Sequence, residues 1–235
     1  SQRLRIRSLV GIIPLLAVEI MHKDVFEKLR QFNTRLQVIR LTRPDLTMII
    51  SDIEKKNKDG NYLFAIMIGD RLEHLLKRLL DEAEFLSDYG IRSLSRSHKD
   101  NPYVFGYQGR DYSIQYEPGE SSSSMFGGNS NWRGPIWLPL NYLIINSLRK
   151  YYQYYGNTYT YEFPAGSGVK LNLKQIANEL TKRLLKIFER NAVGTFQYHG
   201  SDLPHWGEEH FKDHHLFYEF FHGDTGQGLG ASHQT

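Results

Sequence analysis

The sequence contains no cysteine, which excludes disulfides and thiolate metal sites. It contains no Asn-x-Ser/Thr acceptor either. Together these absences disfavour a secreted or lumenal glycoprotein and set the cytosol as the expected compartment. Like charges never run to five in a row, and the lysines and arginines are dispersed along helical segments. A net charge of +3 with a pI near 8.9 therefore carries no nucleic-acid signature. Long apolar runs are missing as well. The longest candidate, "LVGIIPLLAVEIM" at residues 9–21, is interrupted by Pro14 and Glu19 and is too short to span a bilayer. No small-residue cleavage site follows it, so it is not read as a signal peptide. Its expected state is a buried helix.

What is present is a globular profile, with 40% hydrophobic and 23% charged residues, and an excess of aromatics: 15 Tyr, 13 Phe and 3 Trp. That excess suits a thick helical core, and it also suits a groove that stacks on sugar rings or other flat apolar faces. The dominant period is helical. Leu9, Ile12, Ile13, Leu16 and Ala17 fall on one face, and Val25, Leu29 and Phe32 on a second stripe. A third helix is expected through Leu72, Leu75, Leu76, Leu79, Leu80 and Ala83, with Asp70 as N-cap and Gly90 as stop. A fourth begins near Pro139 and ends before Gly156; a fifth carries Ile176, Leu180, Leu184 and Ile187 behind Asn172. Strand-like alternation is confined to pieces such as "YSIQYE" and "TFQYHG", which suit hairpins at a rim. Long loops cover residues 91–135 and 191–235, and loops of that length are usually functional. Residues 1–235 are read as one domain. Both ends look cut, and a portion of a longer protein is the working expectation.

Chemistry has few places to reside. No G-x-S-x-G elbow occurs, and "GDTGQGLG" fits neither phosphate-binding glycine fingerprint. His210 and His214 are spaced i, i+4, but Glu209 precedes the first histidine where the zinc-protease order needs a glutamate after it. Hydrogen-bonded or solvated histidines are expected there, with no metal and no cofactor. Two stretches remain. "FGGNSNWRGPIWLPLNYL" at 126–143 sets Arg133 between Trp132 and Trp137 at a helix entrance. Such residues either fill a core and salt-bridge a helix end, or form a polar ligand site. "LFYEFFHG" at 216–223 flanks Glu219 with aromatics. An apolar setting raises a carboxyl pKa and suits a general acid or base; the alternative is a glutamate pointing away from an aromatic face into solvent.

Residues 129–148, "NSNWRGPIWLPLNYLIINSL", followed by 217–235, "FYEFFHGDTGQGLGASHQT", resemble glycoside hydrolase family 63, which includes processing α-glucosidase I and the bacterial mannosylglycerate hydrolases. Segments such as "RLRIRSLVGIIPLLAVE" and "YGIRSLSRSHKDNPYVF" extend the resemblance over essentially the whole chain. It implies an all-α fold, an (α/α)6 toroid left incomplete in this chain, with long rim loops and short β-hairpins, of which residues 1–235 form the C-terminal part. It implies inverting hydrolysis of α-linked glucosides or mannosides, by two carboxyl groups roughly 6.5–9.5 Å apart. Matching the Y-E block assigns the general base to Glu219, with its aromatic flanks excluding bulk water. The family's general acid is an aspartate in a G-L-D stretch that is expected upstream; Asp111 and Asp202 lack that context. Trp132, Arg133, Trp137 and Asn131 are implied to line the sugar subsites, with Arg92, Arg96 and Trp206 as further candidates on the same rim. An oligosaccharide or small glycoside is the implied partner, with neither nucleic acid nor membrane, and this chain alone is expected to have little hydrolase activity. The missing acid leaves one alternative, a non-catalytic carbohydrate-binding or scaffold protein.

Overall fold

The computed structural model describes residues 4–47, 55–122, 132–200, 208–210 and 212–232. After 3-10 turns at Leu9–Gly11 and Ile13–Leu16 come β1 (Val18–Met21), α1 (Lys23–Lys28), α2 (Arg30–Thr42), α3 (Pro44–Thr47) and β2 (Tyr62–Ala65). Then follow α4 (Asp70–Leu79), β3 (Leu86–Ser87), β4 (Gly90–Ile91), β5 (Tyr103–Tyr107) and β6 (Arg110–Ile114). The C-terminal part comprises α5 (Leu138–Tyr155), β7 (Thr160–Glu162), β8 (Lys170–Asn172), α6 (Leu173–Leu185), β9 (Tyr218–Phe221) and β10 (Gly228–Ser232).

The main core is built from three helices whose apolar spacing fits the helical period. α4 buries Leu72, Leu76 and Leu79; α5 buries Ile144, Ile145, Leu148 and Tyr151; α6 buries Leu173, Ile176, Ala177 and Leu180. Each fully buried leucine stabilises by about 1.5–3 kcal/mol relative to an exposed one. Charges follow the helix dipole in α4, with Asp70 and Glu73 in its first turn and Lys77 and Arg78 in its last. Pro139 sits in the first turn of α5, and Gly156 ends that helix at φ 61°. Asn172 caps α6 in a reciprocal box: its side chain accepts from the Gln175 amide, and the Gln175 side chain accepts from the Asn172 amide, both at 2.9 Å.

The expected all-α toroid is not what the described residues form. Their six α-helices, α1 and α3 being short, alternate with ten short strands paired in five two-stranded antiparallel sheets. The helices do not close a ring. Segments read as helix or loop instead go into short strands, several of them rich in β-branched and aromatic residues. The segment at residues 9–21 is one such correction. It is no buried helix: Pro14 is the second residue of the 3-10 turn Ile13–Leu16, and Val18–Met21 pairs with Tyr62–Ala65, Val18 opposite Ala65. The chain spends its β-branched Val18 and Ile20 on a strand, where they are less restricted than in a helix. The Val25, Leu29 and Phe32 stripe lies on helices interrupted at Leu29, and all three side chains are exposed. At α4, Gly69 occupies the cap position and Asp70 the first turn, while Gly90 belongs to β4. "YSIQYE" enters β6, but "TFQYHG" forms a 3-10 turn at Gln197–His199.

Two smaller apolar clusters flank the main core. One joins Ile136, Ile187, Phe196, Tyr198 and Phe221; the other joins Leu94, Ile114 and Tyr116. Between them run the segments that carry the candidate site. No described helix is long and apolar enough to cross a membrane.

Candidate active site

Four stretches that are distant in sequence lie side by side. Arg92 bridges Ile136, Ile136 bridges Phe221, and Phe221 pairs with Gly228 of β10. The Ile136 amide donates to the Phe221 carbonyl at 2.7 Å, and the Phe221 amide returns the bond at 2.9 Å. Next to this row, the Ser93 amide donates to the Pro135 carbonyl at 3.0 Å. Backbone pairing thus brings the "GIRSLSR", "WRGPIW" and "FYEFFHG" motifs together.

The tryptophans stack. Trp132 and Trp137 lie with ring centroids 4.4 Å apart and planes 4° from parallel, and Trp137 lies 5.2 Å from Phe220. Burial grades along this three-ring stack from Phe220, 1% exposed, to Trp132, 40% exposed. The outer ring, Trp132, keeps part of its surface open to solvent. Asn141, in the first turn of α5, supports the stack from below. Its side-chain oxygen accepts from the Ile91 amide at 2.7 Å, and its nitrogen donates to the carbonyls of Ile91 and Trp137, each at 3.0 Å.

Glu219, on β9, is exposed, whereas Phe220 and Phe221 are buried. The aromatic flanks therefore leave the Glu219 side chain open to solvent. Its closest geometric constraint is Gly230 of β10, at φ 71°, where a Cβ would lie 2.8 Å from Glu219 Oε2 and 2.8 Å from the Phe220 ring. The β9–β10 register shifts between Leu229 and Ser232, an irregularity that a positive-φ glycine permits.

Both arginines lie beneath this surface. Arg133 is 2% exposed, and its Nη1 donates to Glu117 Oε2 at 3.1 Å. Burial would raise the Glu117 carboxyl, but hydrogen bonds from Ser122 and the nearby Arg133 charge outweigh it and hold it below the ordinary value. Arg92, 4% exposed, donates from Nε to the Tyr116 hydroxyl at 2.9 Å and from Nη2 to Asp224 Oδ1 at 3.0 Å. Its Nη1 donates to the Leu86 carbonyl. Arg96 begins the 3-10 turn Arg96–His98. Asn131 and Trp206 lie outside the described residues.

Asp224, Tyr116, Glu117 and Asn141 were not singled out from sequence. Only "HGDTG", a lone aspartate between glycines in the turn after β9, offered a signal for any of them. His210 and His214 approach with ring centroids 5.6 Å apart. Among the described residues, no three His, Asp or Glu side chains form a set able to hold a metal ion.

Glu219 and Phe220 thus place an exposed carboxylate next to the inner end of a graded aromatic stack. The glycosyl hydrolase family 63 C-terminal domain matches residues 66–212, more than half of the chain. The chain belongs to glycosyl hydrolase family 63. The match includes the Trp132–Trp137 block; Glu219 lies beyond it. An uncharacterized protein of Saccharomyces cerevisiae, YMR196W, is 43% identical over 235 residues, covering 99% of this chain and 22% of that protein. A probable mannosyl-oligosaccharide glucosidase of Schizosaccharomyces pombe is 42% identical over 102 residues, 41% of this chain and 9% of its own length. The mannosyl-oligosaccharide glucosidase of Saccharomyces cerevisiae is 28% identical over 142 residues, 60% of this chain and 14% of its own length. The chain thus spans less than a quarter of each of these relatives.

Proposed function

We propose that the protein carrying this chain is an inverting glycoside hydrolase acting on α-linked glucosides or mannosides. The observation that carries this reading is the position of Glu219, an exposed carboxylate on the strand whose next residue ends the Trp132–Trp137–Phe220 stack. Membership of family 63 supports glycosidic chemistry, and two relatives with glucosidase in their names support an oligosaccharide substrate.

Glu219 acts as general base. It takes a proton from a water molecule, which attacks the anomeric carbon from the face opposite the leaving oxygen. A carboxylic acid on the other side protonates that oxygen as the C–O bond breaks. The acid is an aspartate supplied from outside this chain, a reading that fits relatives of which the chain spans 22% or less. Trp132 seats the sugar ring on its outer face, backed by Trp137 and Phe220; Asn131 and Trp206, outside the described residues, are further subsite candidates. Arg133 and Arg92 act from beneath, holding the loops that present it.

Stereochemistry tests the reading. The full-length protein is incubated with α-linked diglucosides and α-mannosides, and the first-formed sugar is followed by NMR. Release of the β-anomer is expected. Release of the α-anomer refutes inversion, and sugar binding without turnover of any α-glycoside favours the non-catalytic alternative.

A further inference from the structure

The turn that joins β9 to β10 is held by a polar knot that buries Arg92 and Tyr116 and leaves its third member, Asp224, partly exposed. Asp224, in that turn, is the hub. Its Oδ1 accepts from the Tyr116 hydroxyl at 2.8 Å and from Arg92 Nη2 at 3.0 Å, while the same hydroxyl accepts from Arg92 Nε at 2.9 Å. Arg92 and Tyr116 are each at most 4% exposed. Burial would raise the Asp224 carboxyl, but the Tyr116 hydroxyl and the Arg92 guanidinium outweigh it and keep the group ionised below its ordinary value.

Packing leaves the knot no slack. A Cβ on Gly223 would meet the Gly134 carbonyl oxygen at 2.5 Å and the Tyr116 hydroxyl at 2.9 Å; one on Gly134 would meet the Tyr116 ring at 2.7 Å. The Gly223 amide donates to the Pro118 carbonyl at 2.8 Å, and Gln197 donates to the Thr225 carbonyl at 2.7 Å. The turn is therefore pinned from three directions, and β10 leaves it to pass Gly230 against the Glu219 carboxylate. β10 is glycine-rich and brings no large buried side chain of its own, so its lie across β9 depends on how the turn is held.

We infer that Asp224, through Arg92 and Tyr116, is a positioning residue for Glu219: the knot sets the hairpin that aims the carboxylate. The inference rests on Glu219 being the general base. It differs from a plain stability role in what it predicts, because a base displaced by about an ångström costs roughly 10²-fold in turnover without a matching loss of substrate affinity.

The test uses the full-length protein and the α-glucoside or α-mannoside it hydrolyses fastest, with Asp224→Asn, Tyr116→Phe and Glu219→Gln compared at a temperature where circular dichroism reports each fully folded. Asp224→Asn is expected to lower kcat about 10²-fold with KM within about twofold of the parent. Tyr116→Phe, which keeps the ion pair and removes one hydroxyl, is expected to lower kcat about tenfold; it remains informative if Asp224→Asn does not fold. Parental kcat in folded Asp224→Asn or in Tyr116→Phe, with Glu219→Gln inactive, overturns this inference alone. Parental kcat in Glu219→Gln overturns both this inference and the assignment of the base.

Discussion

Asn141 is a side chain on which the site depends without touching substrate. It is 1% exposed, and its amide closes two hydrogen bonds with the backbone of Ile91, itself fully buried. Replacing it with leucine keeps the volume and removes both partners. The Trp137 carbonyl keeps its other donor, the Asn141 amide at 3.1 Å, so the orphaned groups are the N–H and C=O of Ile91. An unsatisfied buried polar group costs about 1–3 kcal/mol, so the pair predicts a loss of roughly 3 kcal/mol where β4 meets α5. That corresponds to roughly 10²-fold faster local opening. Hydrogen–deuterium exchange of peptides covering residues 85–95 in the full-length protein reads this directly, and peptides from α6 serve as the reference. Exchange of the Ile91 segment within about threefold of the parent would refute the reasoning, because the amide pair would then carry less than about 1 kcal/mol.

Two further outcomes follow from the same geometry. Gly230→Ala places a methyl 2.8 Å from Glu219 Oε2 at a φ of 71°; a thermal shift equivalent to about 1–2 kcal/mol is expected together with a fall in kcat. Gly156→Ala, at φ 61° with open space around it, is expected to show the thermal shift alone, so equal effects on kcat would contradict the account. Acid should weaken the fold in two stages. Burial lowers the pKa of His222 and of His199, so the unfolded chain binds protons first and stability falls as pH drops below about 6.5. Asp224 and Glu117, both held below their ordinary values, add a second loss as pH falls further, below about 4. Denaturation midpoints of the full-length protein between pH 8 and pH 3 check this. His222→Asn, which offers an oxygen to the Asp224 and Thr225 amides that now donate to His222 Nδ1 at 3.2 Å, should flatten the first stage.

The legible parts of the fold were those written in local chemistry. Pro139 with Gly156 marks the ends of α5, and Asn172 the start of α6, because capping is decided within a few residues. The helical period alone misread residues 9–17, where apolar residues at helical spacing share a segment with Gly11 and Pro14. The architecture was also misread. A family resemblance suggested an all-helical ring, and the isolated bridges that join the site's segments, Arg92 with Ile136 and Ile136 with Phe221, span long sequence separations that no local pattern encodes. The tryptophan pair was visible as motif residues, though the stack onto Phe220 was not. Asp224 and Tyr116 stayed hidden for the same reason as those bridges: their meaning lies in a contact spanning more than a hundred residues. The expectation that aromatics shield Glu219 failed because the side chain is exposed although Phe220 and Phe221 beside it are buried.

Everything proposed about chemistry passes through one carboxylate. The decisive measurement is turnover of α-glucosides and α-mannosides by full-length Glu219→Gln, with sugar binding followed in parallel by calorimetry. Loss of a general base predicts a fall in kcat of about 10²–10⁴-fold with binding retained. Hydrolysis at the parental rate would contradict the account and move the base to another residue.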